Sequence, residues 1–184
     1  MSSVYNVLGI AGSLRRASAN KGLLRCAQQV APEDLKISIA DINDVPLYNA
    51  DVAEQGHPDA VRRVLDQLLA ADALLLASTE YNYSMAPALK NILDWASRMP
   101  GNPALSGKPV AIMGAGGGMG TSRAQYHLRQ TCVYLDMHPL NKPEVFSNAF
   151  SGAFDEHGDV TDPTLRGQVK DLLLALRQWI PRFK

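Results

Sequence analysis

Short runs of consecutive apolar residues alternate along this chain with longer stretches in which apolar positions recur every three or four residues. Val4 to Ile10 is apolar and bounded by Gly9 and Gly12, which suits a strand buried on both faces better than an alternating, half-exposed one. From Ser18 to Val30, the positions Leu23, Leu24, Ala27 and Val30 repeat at helical spacing and Pro32 lies beyond the end, so a helix follows that strand. Leu35 to Ala40 reads as a second strand, and Asp41 to Gly56, with its Asn, Asp and Pro, as a long surface connection. Pro58 fits the first turn of a second helix in which Val61, Val64, Leu65 and Leu68 form one face and Arg62, Arg63 and Asp66 meet water. Ala73 to Ala77 is a third, wholly apolar strand, after which Pro87 starts a helix through Leu89, Ile92, Leu93 and Ala96, with Trp95 partly covering it. Val110 to Met113 forms a fourth strand, and a weaker fifth falls within Met137 to Phe146, interrupted by Pro139 and Pro143. Asp162 caps a last helix that Pro163 opens, with Leu165, Val169, Leu172, Leu173, Leu176 and Ile180 on one stripe.

Apolar strands separated by helical segments imply right-handed βαβ units and a parallel sheet covered on both faces. For five strands the doubly wound order 2-1-3-4-5 is the natural candidate, with its switch point between strands one and three. The loops after strands one, three and four then converge on one crevice. They are also the three loops of unusual composition: a hydroxyl- and arginine-bearing turn at 12–20, a polar and aromatic run at 78–84, and five glycines within Gly114 to Gly120. No repeat, low-complexity segment or linker divides the chain, so residues 1–184 are expected to form one domain.

Composition narrows the partners. The 184 residues are 46% hydrophobic and 20% charged, as in an ordinary soluble globular protein. Lys+Arg and Asp+Glu both number 18, so neither nucleic acid nor an anionic membrane surface is favoured as a partner. Cys26 and Cys132 lie far apart in predicted helices with no metal-ligand or redox spacing around them, which fits buried thiols in a reducing compartment. The chain enters a strand with no basic leader, and no apolar run approaches the roughly 18 residues of a membrane span. The expected location is the cytoplasm, where the Asn82-Tyr83-Ser84 sequon is a coincidence.

The segment Gly9 to Asn20 has the layout of a phosphate receptor: a strand, a glycine turn, hydroxyls, an arginine and a helix start. A helix N-terminus offers unpaired N–H groups and the positive end of its dipole. Ser13, Ser18 and Asn20 add side-chain donors and Arg15 adds charge-assisted bonds. The plainer reading is that Ser18 only caps the helix and the arginines are solvated. A dinucleotide fingerprint is set aside, because Met119 stands where the third glycine counted from Gly114 belongs, and no Gly-Lys-Ser/Thr follows the first strand. A mononucleotide suits the crevice better. His127 and His138 have no second His, Cys or carboxylate at ligand spacing, so no metal site is expected.

Gly12-Ser13-Leu14-Arg15 with Ser18 and Asn20, Glu80-Tyr81-Asn82-Tyr83-Ser84, Leu89-Lys90-Asn91 and Asp94-Trp95 together resemble the NADPH-dependent FMN reductase family. Within it the likeness is to bacterial chromate and quinone reductases, supported by Gln125 to Gln130 and by Asn141-Lys142-Pro143-Glu144. The resemblance spans nearly the whole chain. It implies a flavodoxin-like three-layer α/β sandwich, bound FMN, NAD(P)H as co-substrate, and two-electron reduction of quinones, azo compounds, chromate or free flavin. Carried over by residue, Ser13, Arg15, Ser18, Ala19 and Asn20 surround the FMN phosphate. Glu80, Tyr81, Asn82 and Tyr83 line the ring, largely through backbone groups, with Gly116 and its neighbours opposite. Thr79 stands in place of a frequent proline, Ala86-Pro87-Ala88 in place of Pro-Gly-Gly, and Ala115 and Gly116 in place of frequent serines. The implied mechanism is ping-pong hydride transfer through flavin N5 with no protein nucleophile or general base as a catalytic residue. The resemblance also implies a homodimer or homotetramer, with Tyr83, Arg123, Tyr126 and Glu144 bonded near a subunit contact, while Asp94 supports its helix or an interface. Two alternatives stay open: an FMN electron carrier of the flavodoxin type, against which the neutral charge argues, and a flavin-free regulatory protein on the same fold.

Overall fold

The computed structural model describes residues 4–184. Its strands are β1 (Tyr5–Ala11), β2 (Leu35–Ile39), β3 (Ala73–Ala77), β4 (Glu80–Tyr81), β5 (Ser84–Met85), β6 (Pro109–Gly116), β7 (His138–Pro139) and β8 (Val145–Asn148). Its helices are α1 (Ala19–Val30), α2 (Ala50–Glu54), α3 (Asp59–Ala70), α4 (Pro87–Ala96), α5 (Ser122–Tyr134) and α6 (Pro163–Trp179), closed by a 3₁₀ turn at Ile180–Phe183.

The main sheet is parallel and runs β2-β1-β3-β6, with both β7 and β8 on the far side of β6. This is the flavodoxin-like order, with one modification. The fifth position is filled by two short segments: β7 pairs with Pro109 and Val110 at one end of β6, and β8 with Met113 to Gly116 at the other. Between them lies the Asn141 to Glu144 segment, where a proline has no N–H to give a ladder. The split matters for the site because β8, freed from β7, follows β6 to its carboxyl end.

Period-2 alternation in the inner strands builds two cores on one sheet. Leu8, Ile10, Leu74, Leu76, Val110 and Ile112 face α3, α4 and the inner side of α5. Val7, Ala11, Leu75, Ala77, Ala111 and Met113 face α1 and α6. Every residue of β3 is fully covered, which explains its unbroken apolar run.

Four local expectations need correction. Pro58 caps α3 from outside, with ψ at 152°, and the helix begins at Asp59. The 41–56 connection contains α2, capped by Asn49 through the Asp51 amide at 2.9 Å, and it is fastened to the core. The Asn91 side chain accepts from the Tyr48 amide and donates to the Pro46 carbonyl, both at 2.8 Å, and the Trp95 indole N–H donates to the same carbonyl at 2.8 Å. Trp95 is therefore buried, with Tyr48 edge-on to it at 5.0 Å, and is not a partial cover. Finally, the 80–85 run forms the antiparallel β4–β5 hairpin, with positive φ at Asn82 (49°) and Tyr83 (68°). Such a turn ordinarily carries Asn-Gly, so the tyrosine concealed it from a sequence reading.

Candidate functional site

The carboxyl ends of β1, β3 and β6 meet, and each contributes one wall of a cavity. Beyond β1 the Gly12 amide donates to the Ala77 carbonyl at 2.8 Å, carrying the β1–β3 pairing one residue past the strand. A side chain at Gly12 would meet the Ala86 methyl at 2.7 Å, so glycine is required for this close approach. The loop then exposes Leu14, Arg15 and Arg16 while Ser13 and Ser18 are buried. Ser18 is the N-cap of α1, its hydroxyl accepting from the Lys21 amide at 3.4 Å. The first bond within the helix is Gly22 N–H to the Ser18 carbonyl, which leaves the Ala19 and Asn20 amides without intrahelical partners. No acidic residue lies in the first turn. Among the described residues Arg15, Arg16 and Lys21 form no ion pair, so this wall carries uncompensated positive charge beside a helix N-terminus.

Asn20 sits differently from the expected phosphate donor. Its amide donates to the Ala115 carbonyl at 2.8 Å and accepts from the Ala115 amide at 2.9 Å. The side chain thus staples the start of α1 to the carboxyl end of β6 and holds two walls together.

The second wall is Thr79 and the β4–β5 hairpin. Glu80 turns its carboxylate away from the crevice toward α5, where it accepts from Arg123 Nε at 2.7 Å and from the Ala124 amide at 3.2 Å. Tyr81 faces outward near the opening, while Asn82 and Tyr83 form the tip. The Arg123 guanidinium lies over the Tyr83 ring, 3.7 Å from its centroid.

The third wall separates the five glycines by role. A Cβ on Gly114 would sit 2.1 Å from Thr121 Oγ1, and one on Gly116 would sit 2.4 Å from the Gly120 carbonyl oxygen. These positions are glycine because the chain folds tightly back on itself. Gly117 and Gly118 have nothing within 4 Å of a hypothetical Cβ, and they are the bare backbone that a flat ligand can approach. Beyond β8 the Ala149 amide donates to the Gly116 carbonyl at 2.8 Å, which brings Phe150, 84% exposed, to the same cavity.

The enclosed volume is about 150 Å³. Of the residues the sequence reading chose, Ser13, Arg15, Ser18, Ala19, Asn20, Glu80, Tyr81 and Gly116 line it; Asn82 and Tyr83 do not. Thr79, Ala149 and Phe150 line it without having been singled out as site residues, and Ala115 and Gly117 line it as the neighbours of Gly116. Thr79 adjoins a chosen position. Ala149 and Phe150 arrive through the β6–β8 pairing, which no local pattern announces. A larger groove of about 410 Å³ lies between α4 and α5. In it Lys90 pairs with Asp94 at 2.5 Å, His127 Nδ1 bonds the Ser84 hydroxyl at 3.0 Å, and Arg98 donates to the Ser97 hydroxyl at 3.0 and 3.1 Å.

Both cysteines are free and buried. Burial pushes the Cys132 thiol up to about 12 and raises that of Cys26 as well, so neither offers a thiolate nucleophile at neutral pH. His138 stacks on Phe183 at 4.2 Å. Among the described residues no group of three His, Cys, Asp or Glu is placed to hold a metal ion, and no helix is long and apolar enough to cross a membrane.

The arrangement can bind an anionic head between Ser13, Arg15 and the α1 N-terminus, and a flat group against the Gly117–Gly118 backbone and the hairpin. Residues 5–152 match the model of the NADPH-dependent FMN reductase family. The chain is 52% identical over 185 residues to an NAD(P)H-dependent FMN reductase of Pseudomonas aeruginosa, covering 100% of both chains. It is 38% identical over 188 residues to a quinone reductase of Escherichia coli K12, again over 100% of both. Among solved structures it resembles FerB, a flavoenzyme NAD(P)H:(acceptor) oxidoreductase of Paracoccus denitrificans. The TM-score is 0.87 at 31% identity, over 98% of this chain and 99% of that one.

Proposed function

The chain belongs to the NADPH-dependent FMN reductase family, and from that premise we propose that it reduces quinones by two electrons at the expense of NADH or NADPH. Azo compounds, chromate and free flavin are further acceptors within this reading. The observation that carries it is Arg15, without an ion-pair partner among the described residues, lining the same cavity as the N-terminus of α1 and the glycine backbone of Gly116 and Gly117.

The residues fit FMN. Ser13, Ser18, Arg15 and the free Ala19 and Asn20 amides would hold the phosphate, and the paucity of carboxylates on this wall favours an anion there. The backbone of Glu80 and Tyr81 and of Gly116 and Gly117 would hold the ring between two walls. When bound, FMN supplies the two-electron chemistry that couples a nicotinamide to an acceptor. The chain's part is to orient the ring, offer backbone N–H groups where charge grows on reduction, and leave one side open to two substrates in turn. No side chain at the cavity is required to act as nucleophile or general base. Because donor and acceptor share one opening, the kinetics are ping-pong.

We further propose that the chain acts as a single domain and as a homodimer or homotetramer. Support comes from the outer face of α5, where Tyr126, Val133 and Tyr134 are 63%, 78% and 82% exposed on a helix whose other side is core. Of the residues expected at such a contact, Arg123 is engaged within the chain by Glu80 and Tyr83, and Glu144 by Lys142. Light scattering at micromolar concentration tests the assembly; a monomer contradicts it.

The test of function is steady-state kinetics of the FMN-loaded protein, with both nucleotides against a panel of quinones, an azo dye, chromate and free FMN. Parallel double-reciprocal lines with a quinone are expected. A protein whose flavin is not reduced by either nucleotide is instead an electron carrier.

A further inference from the structure

Helix α5 begins in an unusual way. Thr121 occupies its N-cap position but makes no side-chain capping bond, so the first-turn amides lack the usual hydroxyl partner. Their partner comes from 40 or so residues earlier in the chain: Glu80 Oε2 accepts from the Ala124 amide at 3.2 Å. Its other oxygen takes Arg123, with Nε at 2.7 Å and a terminal nitrogen at 2.5 Å. The Glu80 side chain is only 7% exposed. A carboxylate so placed is held by three terms at once: a charge-assisted pair, a backbone donor and the positive end of a helix dipole.

The opposite end of this contact is a strained turn. Tyr83 has φ of 68°, a left-handed conformation that non-glycine residues adopt at a cost. The same Arg123 that grips Glu80 covers the Tyr83 ring at 3.7 Å. One arginine thus binds the base and the tip of the β4–β5 hairpin, and Ser84 adds a third tie through His127 at 3.0 Å. Of the hairpin, Glu80 and Tyr81 line the cavity, so what holds the base of the hairpin also holds that wall.

We propose that Glu80 and Arg123 are positioning residues for the cofactor ring, an ion-pair latch at the N-terminus of α5 that fixes the base of the hairpin, Glu80 and Tyr81, against the cavity before any ligand arrives. This rests on the FMN reading above and assigns to Glu80 a role separate from its backbone. The latch acts on the ring wall alone. The phosphate wall belongs to α1 and is stapled independently by Asn20.

That separation supplies the test. Dissociation constants for FMN and for riboflavin, which lacks the phosphate, are measured by fluorescence quenching in Glu80→Gln, Arg123→Met, Arg123→Lys, the Glu80→Gln/Arg123→Met double variant and Arg15→Ala. Melting temperatures of the flavin-free proteins are recorded alongside. Glu80→Gln and Arg123→Met are each expected to weaken FMN and riboflavin by the same factor, about tenfold. The double variant should be no weaker than the weaker single, because the pair acts as one unit. Arg123→Lys, which keeps the charge, should recover part of the loss even if Glu80→Gln folds poorly. Arg15→Ala should weaken FMN only. A lowered melting temperature with both flavin affinities unchanged reduces Glu80 to a helix cap and overturns the proposal. So does a loss confined to FMN, or additive losses in the double variant. If the wild-type protein binds neither flavin, the FMN reading itself fails and takes the latch with it; wild-type binding with unaltered variants sinks the latch alone.

Discussion

Arg15 and Gly22 show how single positions divide the phosphate wall between ligand and scaffold. Arg15 is exposed and unpaired among the described residues, so its removal disturbs nothing in the free protein. Arg15→Ala should cost a charge-assisted contact of about 1.5–3 kcal/mol in FMN affinity, read by fluorescence titration, with the melting temperature unchanged. Gly22 is the reverse case. A Cβ there would lie 1.7 Å from the Gly158 carbonyl oxygen, because the 155–159 loop packs directly on the first turn of α1. Arg25 holds that loop through Asp159 at 2.5 Å and the His157 carbonyl at 3.2 Å. Gly22→Ala must move backbone, and overpacking of this kind costs about 1–3 kcal/mol. Urea denaturation should show the loss, and FMN should bind more weakly as the helix start shifts. Full stability in this variant would mean that the loop can retreat freely.

At the scale of elements, the hairpin and α5 carry the consequences. Tyr83→Gly would relieve a left-handed residue, worth about 1 kcal/mol or more, and remove an exposed cation–π contact of about 0.5–1 kcal/mol. Stability should therefore change little or rise slightly. Helix α5 also buries Cys132, and that burial pushes its thiol up to about 12, well above the ordinary thiol range. The folded state then keeps its proton where the unfolded chain loses it. The contribution is fully present below pH 9 and is lost as pH rises from there toward 12. Midpoints in urea at pH 8 and pH 10.5 should differ more for the wild type than for Cys132→Ala; equal differences would show that the thiol titrates freely. What the sequence revealed at this scale follows from range. Helices α1, α3 and α6 and strands β1, β3 and β6 declare themselves through periodicity within their own span. The phosphate loop does so through residue types that are unusual after a strand. The Glu80–Arg123 contact, the Asn20–Ala115 staple and the Ala149–Gly116 bond that brings Phe150 depend on partners 43, 95 and 33 positions away, and no local pattern encodes them.

Across the whole molecule, one sheet separates two cores, and its inner strands contribute alternate residues to each. Neither core can form without the sheet, and the sheet is covered only when both are present. That coupling predicts a single cooperative unfolding transition, even though the chain exceeds the roughly 150 residues within which two-state behaviour is usual. The two tryptophans provide a direct check, one on each side: Trp95 is buried in the α3–α4 core, and Trp179 packs on the α1–α6 core. Trp179→Phe leaves Trp95 as the sole reporter, and Trp95→Phe leaves Trp179. Trp95→Phe will lower overall stability, because it removes the indole bond to Pro46 that fastens the 41–56 connection. The comparison is therefore made within each variant, between the fluorescence midpoint and the far-UV circular dichroism midpoint in urea. The two should coincide in both variants. Saturating FMN should raise them together, by an amount set by the ratio of ligand to Kd, since the cavity is bounded by β1, β3 and β6, which belong to both cores. A fluorescence midpoint that departs from the dichroism midpoint in one variant would mean that one layer unfolds before the other. An FMN effect limited to the Trp179 reporter would place the binding energy in the α1–α6 layer alone.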